Sequence, residues 1–192
     1  RQRQMCIRDR YMPSMLKEEV GGTQMTLTCK TRYPEEETVY YCISCESPVE
    51  RTIYFRIPAW VKESPAVYVN GVKQTVEGRP GEWMPVSKTW RDQDTIMVKI
   101  GMPLYFEKID NKNKDIVSLL YGPVVLVSDD LAAFCEDPDH VEEWIERVPG
   151  ERLKFRTKPG AMEGIYDFET RDFVPYWSYP EGKWYFLYFW LH

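Results

Sequence analysis

Imidazole is almost absent from this chain: His140 and His192 are its only histidines in 192 residues. Metal centres and activated Ser or Cys nucleophiles lean on imidazole, so most such schemes are excluded at the outset. No apolar run approaches the ~20 residues that a membrane-spanning helix needs. Positive charge is not in surplus either. A net charge of −5 and a pI near 5.2 leave no clustered Lys and Arg for a phosphate-reading surface. Neither nucleic acid nor a membrane is expected as a partner.

Cysteine supplies no framework. Cys6, Cys29, Cys42, Cys45 and Cys135 are scattered and odd in number. The spacing Cys42-Ile43-Ser44-Cys45 matches a zinc or redox pair, but the surrounding TVYYCISC is strand-like, so residues three apart point to opposite faces. One such pair also supplies only two ligands, and a structural zinc site needs four. The thiols are therefore expected to be structural, with no metal held here. Cysteine usage implies a reducing compartment or no need of disulfides, and localisation stays open.

What the chain does have is strand pattern. Runs rich in Val, Ile, Thr, Tyr and Phe recur between Pro, Gly, Asn and Asp, and helical periodicity is scarce. Strands are expected at 23–32, 38–45, 51–57, 65–70, 82–86, 94–100 and 103–109, then at 116–121 and 124–127. In Ile53-Tyr54-Phe55-Arg56-Ile57 alternate residues are apolar, which makes one buried face and one wet one. Asn70-Gly71 tolerates the positive φ angles of a type I′ turn, so 65–70 should pair with 72–76. One short helix is expected at about 138–148, with Asp137 as cap, Pro138 at its first position and Val141, Trp144, Ile145 and Val148 as its apolar stripe. The closing aromatic run Trp184 to Leu191 is expected to form a central strand. The polar stretch KIDNKNKD at 108–115 marks a junction. The fold class is thus all-β: two β-sandwich domains, 11–109 and 110–192, with one short helix.

Residues 1–10 stand apart from this pattern. They carry four Arg and one Asp with no apolar region behind them, so they are neither a signal peptide nor an anchor. Met5-Cys6-Ile7-Arg8-Asp9-Arg10 resembles one reading frame of a transposon end used in sequencing libraries. This segment is expected to be a non-native tail, with Tyr11 the first native residue and native sequence lost before it.

Several segments, in order, resemble the C-terminal part of glycoside hydrolase family 127, the β-L-arabinofuranosidase group, and its relative family 146. They are Tyr11-Met12-Pro13-Ser14, Thr31-Arg32-Tyr33-Pro34, Tyr54 to Trp60 (YFRIPAW), Val67 to Gly71 (VYVNG) and Trp90 to Asp94 (WRDQD). Met102-Pro103, Tyr121 to Leu126 (YGPVVL), Phe173 to Trp177 (FVPYW) and the aromatic tail continue the series. Two departures are Gln93, where relatives usually place Gly, and the charged stretch 108–115. The resemblance implies an N-terminal (α/α)₆ barrel followed by β-sandwich domains. In that barrel a zinc-bound cysteine thiolate would attack the anomeric carbon of a β-L-arabinofuranosyl unit, with a glutamate as acid and base and retention of configuration. Nothing in this chain matches the family's neighbouring cysteine pair, so Cys42 and Cys45 are not assigned to it.

The expected function is that of a non-catalytic accessory fragment whose partner is the catalytic barrel of the same polypeptide. No catalytic, cofactor-binding or metal-ligating residue is assigned here, and zinc is implied only for the barrel. The alternative is a free-standing carbohydrate-binding module with Trp83, Trp90, Trp177 or Trp184 as stacking platforms. An immunoglobulin-like module is disfavoured because its Cys–Trp–Cys arrangement is missing.

Overall fold

Strand side chains alternate between faces, and that alternation builds the first half of the molecule. In the strand Thr38–Cys45 (β4), Val39, Tyr41, Ile43 and Cys45 are buried whereas Tyr40 and Ser44 face solvent. The structure, a computed structural model, describes residues 6–8, 11–134, 137–162 and 170–191. It divides into two compact units, Arg1–Gly101 and Met102–His192.

The first unit is a sandwich. Its larger sheet runs in the order β2 (Ser14–Val20), β3 (Thr23–Thr31), β4, β9 (Thr95–Lys99), β6 (Ala66–Val69) and β7 (Val72–Lys73), with antiparallel neighbours throughout. The smaller sheet is β1 (Cys6–Arg8), β5 (Val49–Arg56) and β8 (Trp83–Trp90). One core unites the inner faces. Tyr41 of the larger sheet meets Phe55 of the smaller one with ring centroids 5.2 Å apart. Ile53 and Phe55 are fully buried, and each such side chain contributes roughly 1.5–3 kcal/mol of transfer free energy. The hairpin between β6 and β7 has the expected geometry, with Asn70 at φ 51° and Gly71 at φ 78°.

The second unit carries one eight-stranded sheet. Its order is β13 (Ala133–Phe134), β17 (Phe189–Leu191), β11 (Ile116–Tyr121), β12 (Val124–Val127), β16 (Asp172–Pro175), β15 (Phe155–Thr157) and β14 (Ile145–Arg147), with β10 (Leu104–Lys108) also paired to β11. Its core is aromatic. Phe134 lies within about a ring's width of Phe173, Phe189 and Trp144, at centroid distances of 6.1, 6.0 and 5.0 Å.

The structure differs from sequence expectation at four places. Cys6–Arg8, placed in a detached tail by the sequence, pair in parallel with Ile53–Phe55. Residues 1–5, 9 and 10 of that tail lie outside the described residues. The helix at 138–148 is much shorter: a 3₁₀ turn at Pro138–His140 is followed by α1 (Val141–Trp144), and Ile145 then enters β14. Pairing of Ile145–Arg147 with Phe155–Thr157 satisfies backbone groups that the helix would otherwise have bonded, and β-branched Ile145 suits it. Of the aromatic run, only Phe189–Leu191 is strand. The units part between Gly101 and Met102, whereas 108–115 links β10 to β11, which bond to each other from Leu104–Tyr121 to Lys108–Val117. Among the described residues no helix is long and apolar enough to cross a membrane.

Candidate functional site

The four tryptophans named as stacking platforms separate once the chain is folded. Trp90 ends β8 in the core of the first unit, fully buried, and its Nε1–H donates to the Arg51 carbonyl at 2.9 Å. It cannot meet a ligand. Trp83 begins the same strand, partly exposed, with the Arg56 guanidinium 5.6 Å from its ring centre. Trp177 lies in a 3₁₀ turn after β16, where its ring meets Tyr176 edge-on at 5.3 Å. Trp184 is 92% exposed.

Trp184 is not isolated, and this is what tryptophan counting misses. Phe186, Tyr188 and Trp190 are 40, 46 and 42% exposed, and Phe189 between the last two is fully buried. Leu187 and Leu191 are partly covered. From Phe186 to Leu191 exposure alternates with a period of two, as in a strand, whereas at the start of the run Trp184, Tyr185 and Phe186 are all exposed. Three pairings hold the segment in place. Phe186 and Ser128 exchange backbone hydrogen bonds of 3.0 and 2.8 Å, Trp190 is opposite Ile116, and it is also opposite Ala133 on the other side. Before it, the backbone turns through Pro180–Lys183, and Tyr179 and Tyr185 meet across that turn with centroids 5.4 Å apart. Aromatic residues on both parities of WYFLYFWL concealed which of them is buried, and Phe189 is the one that is.

Thiol and imidazole chemistry finds no assembled site. Cys42 and Cys45 point to opposite faces of β4: Cys45 is buried with its Sγ 3.8 Å from the Trp90 carbonyl, and Cys42 is half-buried on the outer face. Loss of hydration, reinforced by the Asp92 and Asp94 carboxylates, pushes the Cys45 thiol pKa up, the reverse of what a nucleophile or metal ligand requires. Cys29 is buried in the same core, and Cys135 and His192 lie outside the described residues. Exposed His140 bonds through Nδ1 to Asp137 Oδ2 at 2.8 Å, which raises its pKa, while Asp137 Oδ1 accepts from the Asp139 N–H at 2.9 Å. That pair caps a turn. Among the described residues no three His, Cys, Asp or Glu side chains gather as a metal site. The zinc implied by the family resemblance therefore does not fit the donors described here.

Two largely β units, the first a nine-stranded sandwich among the described residues, define the chain as a β-sandwich type of module. Residues 7–102, which are half of the chain, match the family model of the β-L-arabinofuranosidase GH127 middle domain, so the chain belongs to glycoside hydrolase family 127. The match makes the first unit a middle domain, where the sequence resemblance had pointed to a C-terminal part. Solved structures agree on the fold. A GH127 β-L-arabinofuranosidase from Geobacillus stearothermophilus T6 superposes with a TM-score of 0.73 at 20% identity, over 97% of this chain and 33% of that one. A glycoside hydrolase gives 0.70 at 17% identity, over 96% and 35%. The GH127 β-arabinofuranosidase BT3674 gives 0.68 at 15%, over 97% and 34%. The chain thus spans about a third of the length of these structures. No curated protein matches it by sequence.

Proposed function

We propose that this chain is the non-catalytic β portion of a family 127 glycosidase, and that it braces a catalytic domain carried elsewhere in the same polypeptide. The carrying observation is the match of residues 7–102 to the family's middle domain. The fit of nearly the whole chain to a third of each solved relative supports it. The parent is a retaining, zinc-dependent β-L-arabinofuranosidase acting on plant-type glycans, and its thiolate and carboxyl groups belong to the catalytic domain. A retaining hydrolysis needs a nucleophile and an acid about 5–5.5 Å apart across the sugar. The thiols described here are buried in a core or stand alone on a sheet face.

The test is hydrolysis of an aryl β-L-arabinofuranoside by the purified chain, together with zinc content by plasma mass spectrometry. Background turnover and no stoichiometric zinc are expected. Turnover that disappears in Cys42→Ser or Cys45→Ser would overturn the reading.

A further inference from the structure

We propose that Asn70 is a site of spontaneous covalent modification: its carboxamide is lost through attack by the Gly71 backbone nitrogen, and the aspartate or isoaspartate left behind unfastens the β6–β7 hairpin from the turn before β9. The inference concerns the first unit by itself and goes beyond the accessory role. Three observations carry it.

The first is pattern. The chain has three asparagines, and only Asn70 precedes a glycine; Asn111 and Asn113 each precede a lysine. Attack on the asparagine side chain comes from the next residue's backbone nitrogen, and a side chain on that residue hinders it. Glycine has none. Asn70 and Gly71 are both exposed at the hairpin tip, and apart from its chain neighbours nothing lies within 4 Å of the place where a Gly71 Cβ would stand. In the reaction the Gly71 nitrogen gives up its proton and bonds to Asn70 Cγ, the Cγ–Nδ2 bond breaks, and ammonia carries the proton away. Water then opens the five-membered imide. Cleavage at Cγ gives aspartate, and cleavage at the main-chain carbonyl gives isoaspartate. No electrons are gained or lost.

The second is a gate. The Asn70 N–H donates to the Thr95 carbonyl at 3.0 Å, Nδ2 donates to Asp94 Oδ1 at 2.7 Å, and Oδ1 accepts from the Thr95 N–H at 2.8 Å. Both ends of the carboxamide are thus held by β9 and its approach. They must let go before Cγ can turn to the Gly71 nitrogen, so the reaction runs from a locally opened hairpin tip.

The third is that the product cannot close again. Aspartate puts a carboxylate oxygen where Nδ2 donated, directly against the Asp94 carboxylate, and like charges at that range repel. Isoaspartate adds a carbon to the main chain inside a two-residue turn whose flanks, Val69 and Val72, are paired. Either product leaves the tip loosened, and neither reverts. The gate therefore sets how long each copy of the chain keeps its hairpin fastened.

The experiment is incubation of the full chain at body temperature in mildly alkaline buffer for several weeks, with Asn70 conversion followed by peptide mass spectrometry. Asn70 should convert ahead of Asn111 and Asn113. The same chain unfolded in guanidinium chloride should convert Asn70 at least about tenfold faster than the folded chain, a comparison that needs no variant. Asp94→Ala should speed conversion in the folded chain by about tenfold. Asn70→Asp, which installs one product directly, should lower the urea midpoint, as should the converted wild-type fraction. Four results would overturn the proposal: Asn70 still intact in the folded chain, equal rates in folded and unfolded chains, a rate indifferent to Asp94→Ala, or an unchanged midpoint in Asn70→Asp and in the converted protein.

Discussion

Asn70 Nδ2 donates to Asp94 Oδ1 at 2.7 Å, which joins the tip of the β6–β7 hairpin to the turn that precedes β9. The two residues, 24 positions apart, belong to two of the segments that carry the family resemblance, and the bond shows what those segments do. Asn70 also accepts from the Thr95 N–H at 2.8 Å, while Asp94 Oδ2 accepts from the Arg91 N–H at 2.9 Å and pairs with Lys88 at 3.1 Å. Burial works against the charge of Asp94, yet Asn70, the Arg91 N–H and Lys88 together hold its carboxyl below the usual range. The motif is a structural clasp. Asn70→Ala leaves the buried Asp94 carboxylate short of a bond, and Asp94→Ala strips the Asn70 amide, the Arg91 N–H and Lys88 of their shared acceptor, so each should cost about 1–3 kcal/mol in urea unfolding. Because they share one bond, the double mutant should cost clearly less than the sum. Additive losses would mean that the two turns are held independently.

Acid should loosen the second unit through Asp172. Arg156 reaches its carboxylate with Nε at 2.5 Å and Nη2 at 2.9 Å, and Lys154 adds a contact at 2.8 Å. Hydrogen bonding from Arg156, opposed by partial burial and helped by Lys154, holds the Asp172 pKa at about 2, below its ordinary 3.8. A carboxyl depressed on folding stabilises fully above its unfolded value, and that stability is lost as pH falls through the folded one. Between about pH 5 and 2 the wild-type chain should therefore lose stability faster than Asp172→Asn. At neutral pH the substitution should cost no more than on the order of 1 kcal/mol, because the carboxylate is partly solvated. Parallel stability–pH curves for the two proteins would refute the assignment.

Thiol reactivity should follow the faces of β4. In a Cys6→Ser/Cys135→Ser background, a maleimide should modify Cys42 first, since it is half-exposed. Cys29 and Cys45 are buried, and Cys45 is further slowed by its raised pKa, so both should react only as the first unit opens. Equal rates at Cys42 and Cys45, followed by peptide mass spectrometry, would contradict their placement on opposite faces.

Local signals were the legible ones. The alternation in TVYYCISC placed β4 from Thr38 to Cys45, and Asn70-Gly71 announced a turn whose two positive φ angles the structure contains. Opposite faces for Cys42 and Cys45 followed from the same period. What could not be read depends on distant partners. Ile145 leaves the helix because Thr157 waits across a sheet, and Cys6–Arg8 find an edge at Ile53–Phe55. Trp90 and Trp184 are chemically identical in sequence, yet one is sealed under Lys88 in a core and the other stands in solvent. Only the fold separates them. The aromatic tail was half legible: its strand-like composition is in the letters, but which ring turns inward is decided by what Phe189 packs against, namely Phe134 and Phe173.

Gln93 shows a departure from the family pattern acquiring a physical meaning. Its φ is +66°, in the left-handed region that glycine adopts freely and that costs other residues roughly 1–2 kcal/mol. The turn is held regardless, because the Gln93 N–H donates to the Ile43 carbonyl at 2.9 Å and Ile43 in turn donates to the Asp94 carbonyl at 2.8 Å. Its side chain offers only an exposed 3.2 Å bond from Nε2 to Asp92 Oδ2, which is worth little in water. Gln93→Gly removes the steric cost and keeps both backbone bonds. It also raises the entropy of the unfolded chain, which returns about 0.4–1 kcal/mol of the gain. The net expectation is a stabilisation of about 0.5–1 kcal/mol, read as a higher urea midpoint with an unchanged slope. Gly71→Ala, at φ 78° in the neighbouring hairpin, should move the midpoint the other way. A destabilised Gln93→Gly protein would show that the glutamine side chain holds the turn and that its positive φ carries no appreciable strain.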